Sequence, residues 1–414
     1  MNSTNWSGNY TYLAPRSAAP RSAEELAELV GTAERVRIAG TGHSFNGIAD
    51  SPDLRLSTEA MPTRIEVDPE RRVVSVAGPV RFRELTEHLH ARGWALANLA
   101  SLLDLSVVGA LCTGTHGSGS RLRGLASAVR ELEILTASGE VRVLREGDAE
   151  FAGAVIGLGA LGVVTRVELA VEPAFEITQH LYESLPWPGV VEHAAELLAT
   201  AYSVSLFTGF NEDVLRQCLV KERPDRPHDA DLLARLGARP VAGQRHPVAG
   251  GPAENVTEQG SPGPWHERLP HFRGGRIPST GAEIQSEYLV PLDRAGEAIE
   301  GLRAAAPAFA HLLLVAELRS VAADELWLSG AWRRDALAIH FTWHRDQAGV
   351  EAALPAVEAA LPDPRPHWGK VWAMPPDVLA ERYPKLPDFR DLARRWDPRG
   401  RFRNDFLDEH VFGA

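Results

Sequence analysis

Residues 37–50 read RIAGTGHSFNGIAD: an alternating run stops at Gly40-Thr41-Gly42, and His43 stands at the end of the turn. Glycines after a strand leave main-chain N–H groups bare, so a phosphate can approach with no Cβ in the way. A second stretch, NLASLLDLSVVGALCTGTHGSG (98–119), carries Ser101, Ser106 and Gly109 and then the run Thr113-Gly114-Thr115-His116. A third, VIGLGALGVVTRVEL (155–169), places Gly162 and Val163 just before a strand. Three separate small-residue loops in one α+β region predict a long ligand lying across backbone.

Simpler glycine signatures do not fit the first loop. Phe45 stands where the dinucleotide fingerprint needs its third glycine, and the Lys-Ser/Thr of a P-loop is missing. Ser44 lacks the second glycine of a nucleophile elbow. Neither His43 nor His116 has a partner at HxxxH or CxxC spacing, so no metal is expected. His116 reads as a structural member of a phosphate-contacting loop. Cys112, between Leu111 and Thr113, reads as a small buried filler.

A different chemistry is written further along the chain. On a strand, residues i and i+2 share a face. VAELRSV (315–321) therefore puts Glu317 and Arg319 together, with Ala316, Leu318 and Ser320 behind them. AIHFTWH (338–344) puts His340, Thr342 and His344 on one side and Ile339, Phe341 and Trp343 on the other. Charge on a strand commonly marks a solvated sheet face. A carboxylate, a guanidinium, an imidazole and a hydroxyl on successive strands fit a hydroxyl-rich ligand better. His340 and His344 lie about 13 Å apart along a strand, too far to share a metal. PHWGKVW (366–372) sets Lys370 between two tryptophans, where desolvation would lower its pKa and make it a usable base or hydrogen-bond donor.

The elements that must position these residues alternate in type. SAEELAELVGTA (22–33) begins with a Ser cap and spaces its leucines as an amphipathic helix; RVRIAG (35–40) is a strand that stops at glycine. RIEVD (64–68) and RRVVSVAG (71–78) are short strands, VRFRELTEHLHARG (80–93) a helix, VRELEILTASGEVRVL (129–144) a hairpin and 162–173 another strand. After about residue 175 longer alternating runs appear: 177–184, 282–292, 311–321 and 336–344, with a helix over 292–305. GARPVAGQRHPVAGGPAENVTEQGSPGPW (237–265) is too rich in Gly and Pro for regular structure and predicts a surface excursion or lid. DLARRWDPRGRFRNDFL (391–407) predicts a short helix followed by a turn.

Length and composition agree with two domains of α+β type. The chain has 414 residues, 44% hydrophobic and 24% charged, with 43 basic against 55 acidic side chains. A net charge of −12 argues against nucleic acid or an anionic membrane as main partner. Two cysteines, Cys112 and Cys218, build no disulfide framework. The opening MNSTNWSGNYTYLAPRS shows no signal-peptide pattern, and 152–164 is too short and glycine-rich to span a bilayer. A cytoplasmic protein without a membrane anchor is expected.

In order and spacing, the three loops resemble the flavin domain of the vanillyl-alcohol oxidase class of FAD enzymes. NLASLLDLSVVGALCTGTHGSG is similar to the aldonolactone oxidases and more so to the bacterial alditol oxidases, and the resemblance covers most of the chain, including its end. It implies an FAD-binding domain over 1–178, an antiparallel-sheet substrate (cap) domain over 179–377, and a C-terminal segment, 378–414, returning to the first. It implies FAD held by Ile38, Ala39, Gly40, Thr41, Gly42, His43, Ser44, Ser101, Ser106, Gly109, Thr113, Gly114, Thr115, His116, Gly162 and Val163. His43 matches the histidine that bonds covalently to the 8α-methyl of the flavin ring. Glu317, Arg319, Thr342 and Lys370 match the substrate-contacting residues, with Ser101 touching both flavin and substrate. The implied reaction oxidises the terminal primary alcohol of a linear alditol such as xylitol or sorbitol to the aldose, with O2 reduced to hydrogen peroxide. Either His340 or Lys370 takes the hydroxyl proton, and a monomer is expected. Two alternatives are a sugar 1,4-lactone oxidase or dehydrogenase on the same scaffold and a non-enzymatic carbohydrate-binding protein. The last leaves the glycine loops without a purpose.

Overall fold

Residues 3–275 and 281–413 are described in the computed structural model of the chain. Ser22 starts its first helix: the hydroxyl accepts from Glu25 N–H at 3.2 Å and satisfies one of the unpaired donors of the first turn. That helix, α1 (Ala23–Thr32), buries Leu26 and Val30. It packs by these residues with a three-stranded parallel sheet built from β1 (Arg16–Ala18), β2 (Val36–Ala39) and β3 (Leu54–Ser57) in the order β1-β3-β2. The first glycine loop leaves the end of β2.

A five-stranded antiparallel sheet follows. Its strands are β4 (Arg64–Asp68), β5 (Val73–Ala77), β6 (Val129–Leu135), β7 (Val141–Arg145) and β8 (Val163–Ala170), in the order β4-β5-β8-β6-β7. Helix α2 (Phe82–His90) buries Phe82, Leu85 and Leu89 in the core beneath, and α3 (Val107–Cys112) grows from the second glycine loop and buries Val107, Ala110 and Leu111.

The second half is dominated by one antiparallel sheet. Its main strands are β9 (Glu176–Glu183), β10 (Ser203–Thr208), β11 (Gln217–Glu222), β12 (Arg239–Val241), β13 (Glu283–Pro291), β14 (Leu313–Val321), β15 (Ala336–His344) and β16 (Arg365–Pro366). They lie in the order β12-β9-β11-β10-β14-β15-β13-β16. One face is apolar: Leu206, Ala316, Leu318, Ile339, Phe341, Trp343 and Tyr288 bury against α4 (Ala295–Phe309) and α5 (Gln347–Ala359). Fully burying each large side chain stabilises the fold by about 1.5–3 kcal/mol, so this packing fixes which face of every strand turns to the core. The opposite face carries the polar residues.

The end of the chain packs back on the first core. Phe389, Leu392 and Trp396 of α6 (Leu386–Trp396) join Leu407, Val411 and Phe412 in the cluster that holds Val74, Leu85 and Leu132. Two helices differ from the sequence expectation. Leu292–Arg294 form a single 3-10 turn after Pro291, so α4 begins at Ala295. α6 begins at Leu386 and ends at Trp396, because Pro387 falls in the first turn, where its missing N–H costs no bond. The segment 237–265 is also more ordered than its composition suggests. Its residues supply β12, which pairs with β9, and Trp265 is wholly buried. No helix among the described residues is long and apolar enough to cross a membrane.

Candidate active site

A cleft of about 310 Å³ runs between the glycine loops and the polar face of the large sheet. One wall is mostly backbone. At Gly40 and Gly109 a Cβ would stand 2.3 and 2.5 Å from Ser106 Oγ, so the serine hydroxyl occupies the space that both glycines leave. Thr41 Oγ1 accepts from Ser106 N–H at 3.2 Å and lies 3.1 Å from His43 Nδ1, which joins the first two loops. Gly42 adopts φ +74°, open to glycine at no steric cost, and its carbonyl accepts from Trp6 N–H at 2.7 Å. Gly162, at φ +147°, would drive a Cβ to 2.4 Å from the Leu135 carbonyl.

His43 is held by packing as much as by hydrogen bonds. The indole of Trp6 stacks on its ring at 5.0 Å between centroids. Burial, then the charge of Lys370, brings its pKa down to about 4, so the imidazole is neutral with one lone pair. Its Nε2 is buried without a hydrogen-bond partner.

Cross-strand register builds the other wall. Glu317 on β14 lies opposite His340 on β15, which lies opposite Glu287 on β13; Thr342 lies opposite Gln285. Arg319 Nη2 donates to Glu287 Oε1 at 2.6 Å, and its Nη1 reaches across the cleft to Ser101 Oγ at 3.2 Å. Glu287, Glu317, Arg319 and Thr342 are all at most 6% exposed. The polar face is therefore no solvated surface. Burial alone would raise both carboxyl pKa values, yet neighbouring positive charge and hydrogen-bond donors prevail. Arg319 with His271 holds Glu317, and His116 with Arg319 holds Glu287, well below the usual carboxylate range. Arg319, against the effect of burial, is raised by the two carboxylates. A desolvated ion pair costs free energy unless its hydrogen bonds are complete, which makes such a cluster a marker of function more than of stability.

Lys370 closes this wall. Asn46 Nδ2 donates to the carbonyls of Trp368 and Lys370, and Phe45 N–H donates to the Gly369 carbonyl, so the loop after His43 fixes the lysine's backbone. Its Nζ donates to Gln285 Oε1 and lies 4.9 Å from the centre of the Phe45 ring. Burial lowers its pKa to about 8 against the pull of Glu287. Lys370 is desolvated as expected, but the tryptophans that flank it in sequence turn away: Trp368 packs on Tyr383, Trp372 packs on Phe406 and His410, and Phe45 stands beside the ammonium. The pKa of His340 is also lowered, by burial and then by Lys370 and Arg319 against Glu287, whose Oε2 is 3.6 Å from Nδ1.

The cleft gathers nearly all the residues expected from the sequence. Ile38, Gly40, Thr41, Gly42, His43, Ser44, Ser101, Ser106, Gly109, Thr113, Thr115, His116, Gly162, Val163, Glu317, Arg319, His340, Thr342 and Lys370 line it. Ala39 and Gly114 belong to the same loops but are not among the lining residues. His116 does more than support its own loop, since its Nε2 approaches Glu287 Oε1 at 3.2 Å. Glu287, Gln285 and His367 were missed. The first two were legible, because EIQSE alternates as β14 and β15 do and the same i, i+2 argument applies to it. His367 carried no such signal. Away from the cleft, His180, Glu222 and His228 come together, but the Glu222 carboxylate already bonds both imidazoles and the His228 N–H, and Tyr182 Oη bonds the remaining His228 nitrogen. This trio docks the segment before Asp229 onto β9 and β11.

Comparison with known families places the cofactor. Residues 15–145 match the FAD binding domain family, and residues 282–410 match the family described as D-arabinono-1,4-lactone oxidase. The first wall fits FAD: its glycines leave main chain uncovered, and the neutral imidazole of His43 keeps one buried nitrogen without a partner. The crystal structure of cholesterol oxidase from B. sterolicum superposes with a TM-score of 0.77 at 13% identity, over 99% of this chain and 96% of that one. The architecture is thus the two-domain, vanillyl-alcohol oxidase-like α+β fold. Among curated proteins, an L-gulono-1,4-lactone dehydrogenase of Mycobacterium tuberculosis is 28% identical over 97% of both chains. An alditol oxidase of Streptomyces sp. is 47% identical over 99% of both. At that identity over its whole length, the chain belongs to the alditol oxidase family of FAD-dependent oxidoreductases.

Proposed function

We propose that the protein oxidises the terminal primary alcohol of a linear alditol, of the xylitol and sorbitol type, to the aldose, with FAD attached covalently through His43. The observation that carries this reading is the buried row Glu287, Glu317, Arg319 and Thr342 facing the glycine loops across one cleft. Bound along those loops, FAD would take the hydride from the substrate carbon and deliver electrons to O2, giving hydrogen peroxide.

The chain's own groups supply orientation and proton transfer. Two ionised carboxylates accept hydroxyl protons, the Arg319 guanidinium donates, and the Thr342 and Ser101 hydroxyls do either. A row of fixed donors and acceptors along one sheet suits the repeated hydroxyls of an extended polyol, and fixing the carbon chain provides much of the rate. The hydroxyl proton needs a base in reach, and Lys370 and His340 are the two candidates, each with a lowered pKa. In this division of labour, 1–178 with 378–414 holds the cofactor and 179–377 holds the substrate, in a cytoplasmic monomer.

The family match over residues 282–410 favours one rival, oxidation of a sugar 1,4-lactone. A ring lactone presents fewer hydroxyls in line than an open polyol, and the row spans three strands. Turnover of xylitol and sorbitol against L-gulono- and D-arabinono-1,4-lactone separates the two, with peroxide and aldose formed in equal amounts from the polyols. Faster turnover of a lactone would overturn the alditol reading. Acid precipitation tests the linkage separately: the yellow colour should stay with the pelleted protein and pass to the supernatant in His43→Ala.

A further inference from the structure

Beside the polar row, on the same face of the sheet, lies a group that the chemistry above does not use. Lys221, on β11, is 1% exposed, and its four-carbon stem carries an amine into the interior. Its Nζ has three partners: the Leu269 carbonyl at 2.5 Å, the Pro270 carbonyl at 3.1 Å and His271 Nδ1 at 3.1 Å. His271, itself buried, directs Nε2 at Glu317 Oε1 at 2.6 Å, with Ser205 Oγ 3.2 Å away. Among the described residues, no carboxylate bonds the lysine directly. A buried ammonium is costly, and it is placed two hydrogen bonds from the substrate wall.

The proton positions follow in sequence. Glu317 is ionised, held so by Arg319 and His271, and an ionised carboxylate only accepts. Nε2 of His271 must therefore carry the proton of that 2.6 Å bond. Burial and the neighbouring Lys221 bring the His271 pKa down to about 4, so the ring is neutral and Nδ1 holds the lone pair. Burial lowers the Lys221 pKa to about 7 against the pull of Glu317. Its three partners, two carbonyls and the Nδ1 lone pair, only accept, so the arrangement is that of the ammonium donating all three N–H bonds. The ammonium holds the lone pair at Nδ1, reinforces the tautomer that Glu317 requires and keeps the ring's donor aimed at Glu317. Both His271 and Arg319 approach Oε1, at 2.6 and 3.6 Å, and Oε2 takes part in neither contact.

We propose that Lys221 and His271 form a positioning pair that locks the Glu317 carboxylate in the orientation needed to accept a substrate hydroxyl. Neither touches the substrate; both act through Glu317. The proposal rests on the polyol-oxidising reading of the cleft and extends it along the same face of the sheet to β11. It also gives the segment after residue 237 a task beyond covering the cleft, since that excursion ends by delivering His271 to Glu317.

The test is a double-variant cycle in the FAD-loaded enzyme, with wild-type xylitol turnover confirming the underlying reading first. Lys221→Met keeps the stem and removes the ammonium, so Nδ1 loses its partner and the His271 ring is no longer held in place against Glu317. KM for xylitol should rise roughly tenfold, the size of one lost charge-assisted hydrogen bond, with a smaller change in kcat. His271→Gln offers an amide N–H to Glu317 and removes the ring nitrogen that the lysine holds. In that background Lys221→Met should change KM little. An equal KM effect in both backgrounds would mean a packing defect and would overturn the proposal, as would no effect in the wild-type background. If Lys221→Met does not fold, neutron diffraction from the deuterium-exchanged wild type decides. A deuteron on His271 Nε2 with none on Nδ1 supports the pair, and a deuteron on Nδ1 overturns it.

Discussion

The two walls of the cleft are made of opposite materials. The glycine-loop wall presents main chain and small hydroxyls, with no charged side chain in its hydrogen-bonding set of Thr41, His43 and Ser106. The sheet wall presents charge: Glu287, Glu317, Arg319 and Lys370 from two strands and one loop. Backbone amides suit a large, fixed, phosphate-bearing cofactor because they cannot move away from it. Charged side chains suit a small substrate that must be oriented at each turnover and then released. The contrast predicts different kinds of damage. Substitutions in the first wall should lower cofactor content, whereas those in the second should leave cofactor in place and strike turnover.

The largest effect should come from Lys370→Met. If Lys370 is the base, the rate of polyol oxidation at saturating substrate should fall by about 10²–10⁴-fold with full flavin content. Its pKa of about 8 gives the pH dependence. Only the free amine can accept a proton, so the wild-type rate should rise as pH rises towards 8 and level off above it. A rate flat from neutral pH upward would move the role to His340, whose lowered pKa keeps it neutral throughout that range. Next comes Arg319→Ala, which leaves Glu287 and Glu317 buried without their shared counter-charge; a stability loss of about 3–5 kcal/mol is expected in urea unfolding, alongside lost turnover.

First-wall changes should be smaller in rate and visible in the cofactor. Gly162→Ala meets both a positive φ and the Leu135 carbonyl, so unfolding should show a loss of about 1–3 kcal/mol and purified protein should carry less FAD. Ser106→Ala removes the hydroxyl that fills the space between Gly40 and Gly109. A cost of ~1 kcal/mol is expected, with KM for xylitol unchanged. A raised KM in either glycine-loop variant, or lost FAD in Lys370→Met, would erase the distinction between the walls.

That distinction also explains what the sequence made legible. The glycine wall is local: a bare loop must be written as Gly and Ser in consecutive positions, so 40–44 and 113–119 stand out on their own. The strands of the second wall were legible as alternating runs, and Glu317, Arg319, His340 and Thr342 followed from their two-residue period. What could not be read was register. That Glu287 faces His340, or that a loop 46 residues before Glu317 supplies its partner His271, depends on which strand pairs with which. Lys370 shows the same limit. Its neighbours in sequence, two tryptophans, turn into another core, and the aromatic ring beside it comes from Phe45, more than three hundred positions away.

The central claim is that one cleft joins a covalent flavin to a polyol-binding row. The most direct measurement mixes the purified holoenzyme anaerobically with xylitol and follows the visible flavin absorbance. The account predicts rapid bleaching with xylitol and little with L-gulono-1,4-lactone, followed by full recovery of colour on admitting O2 and one peroxide per aldose. Flavin that bleaches with the lactone and stays yellow with xylitol would contradict it.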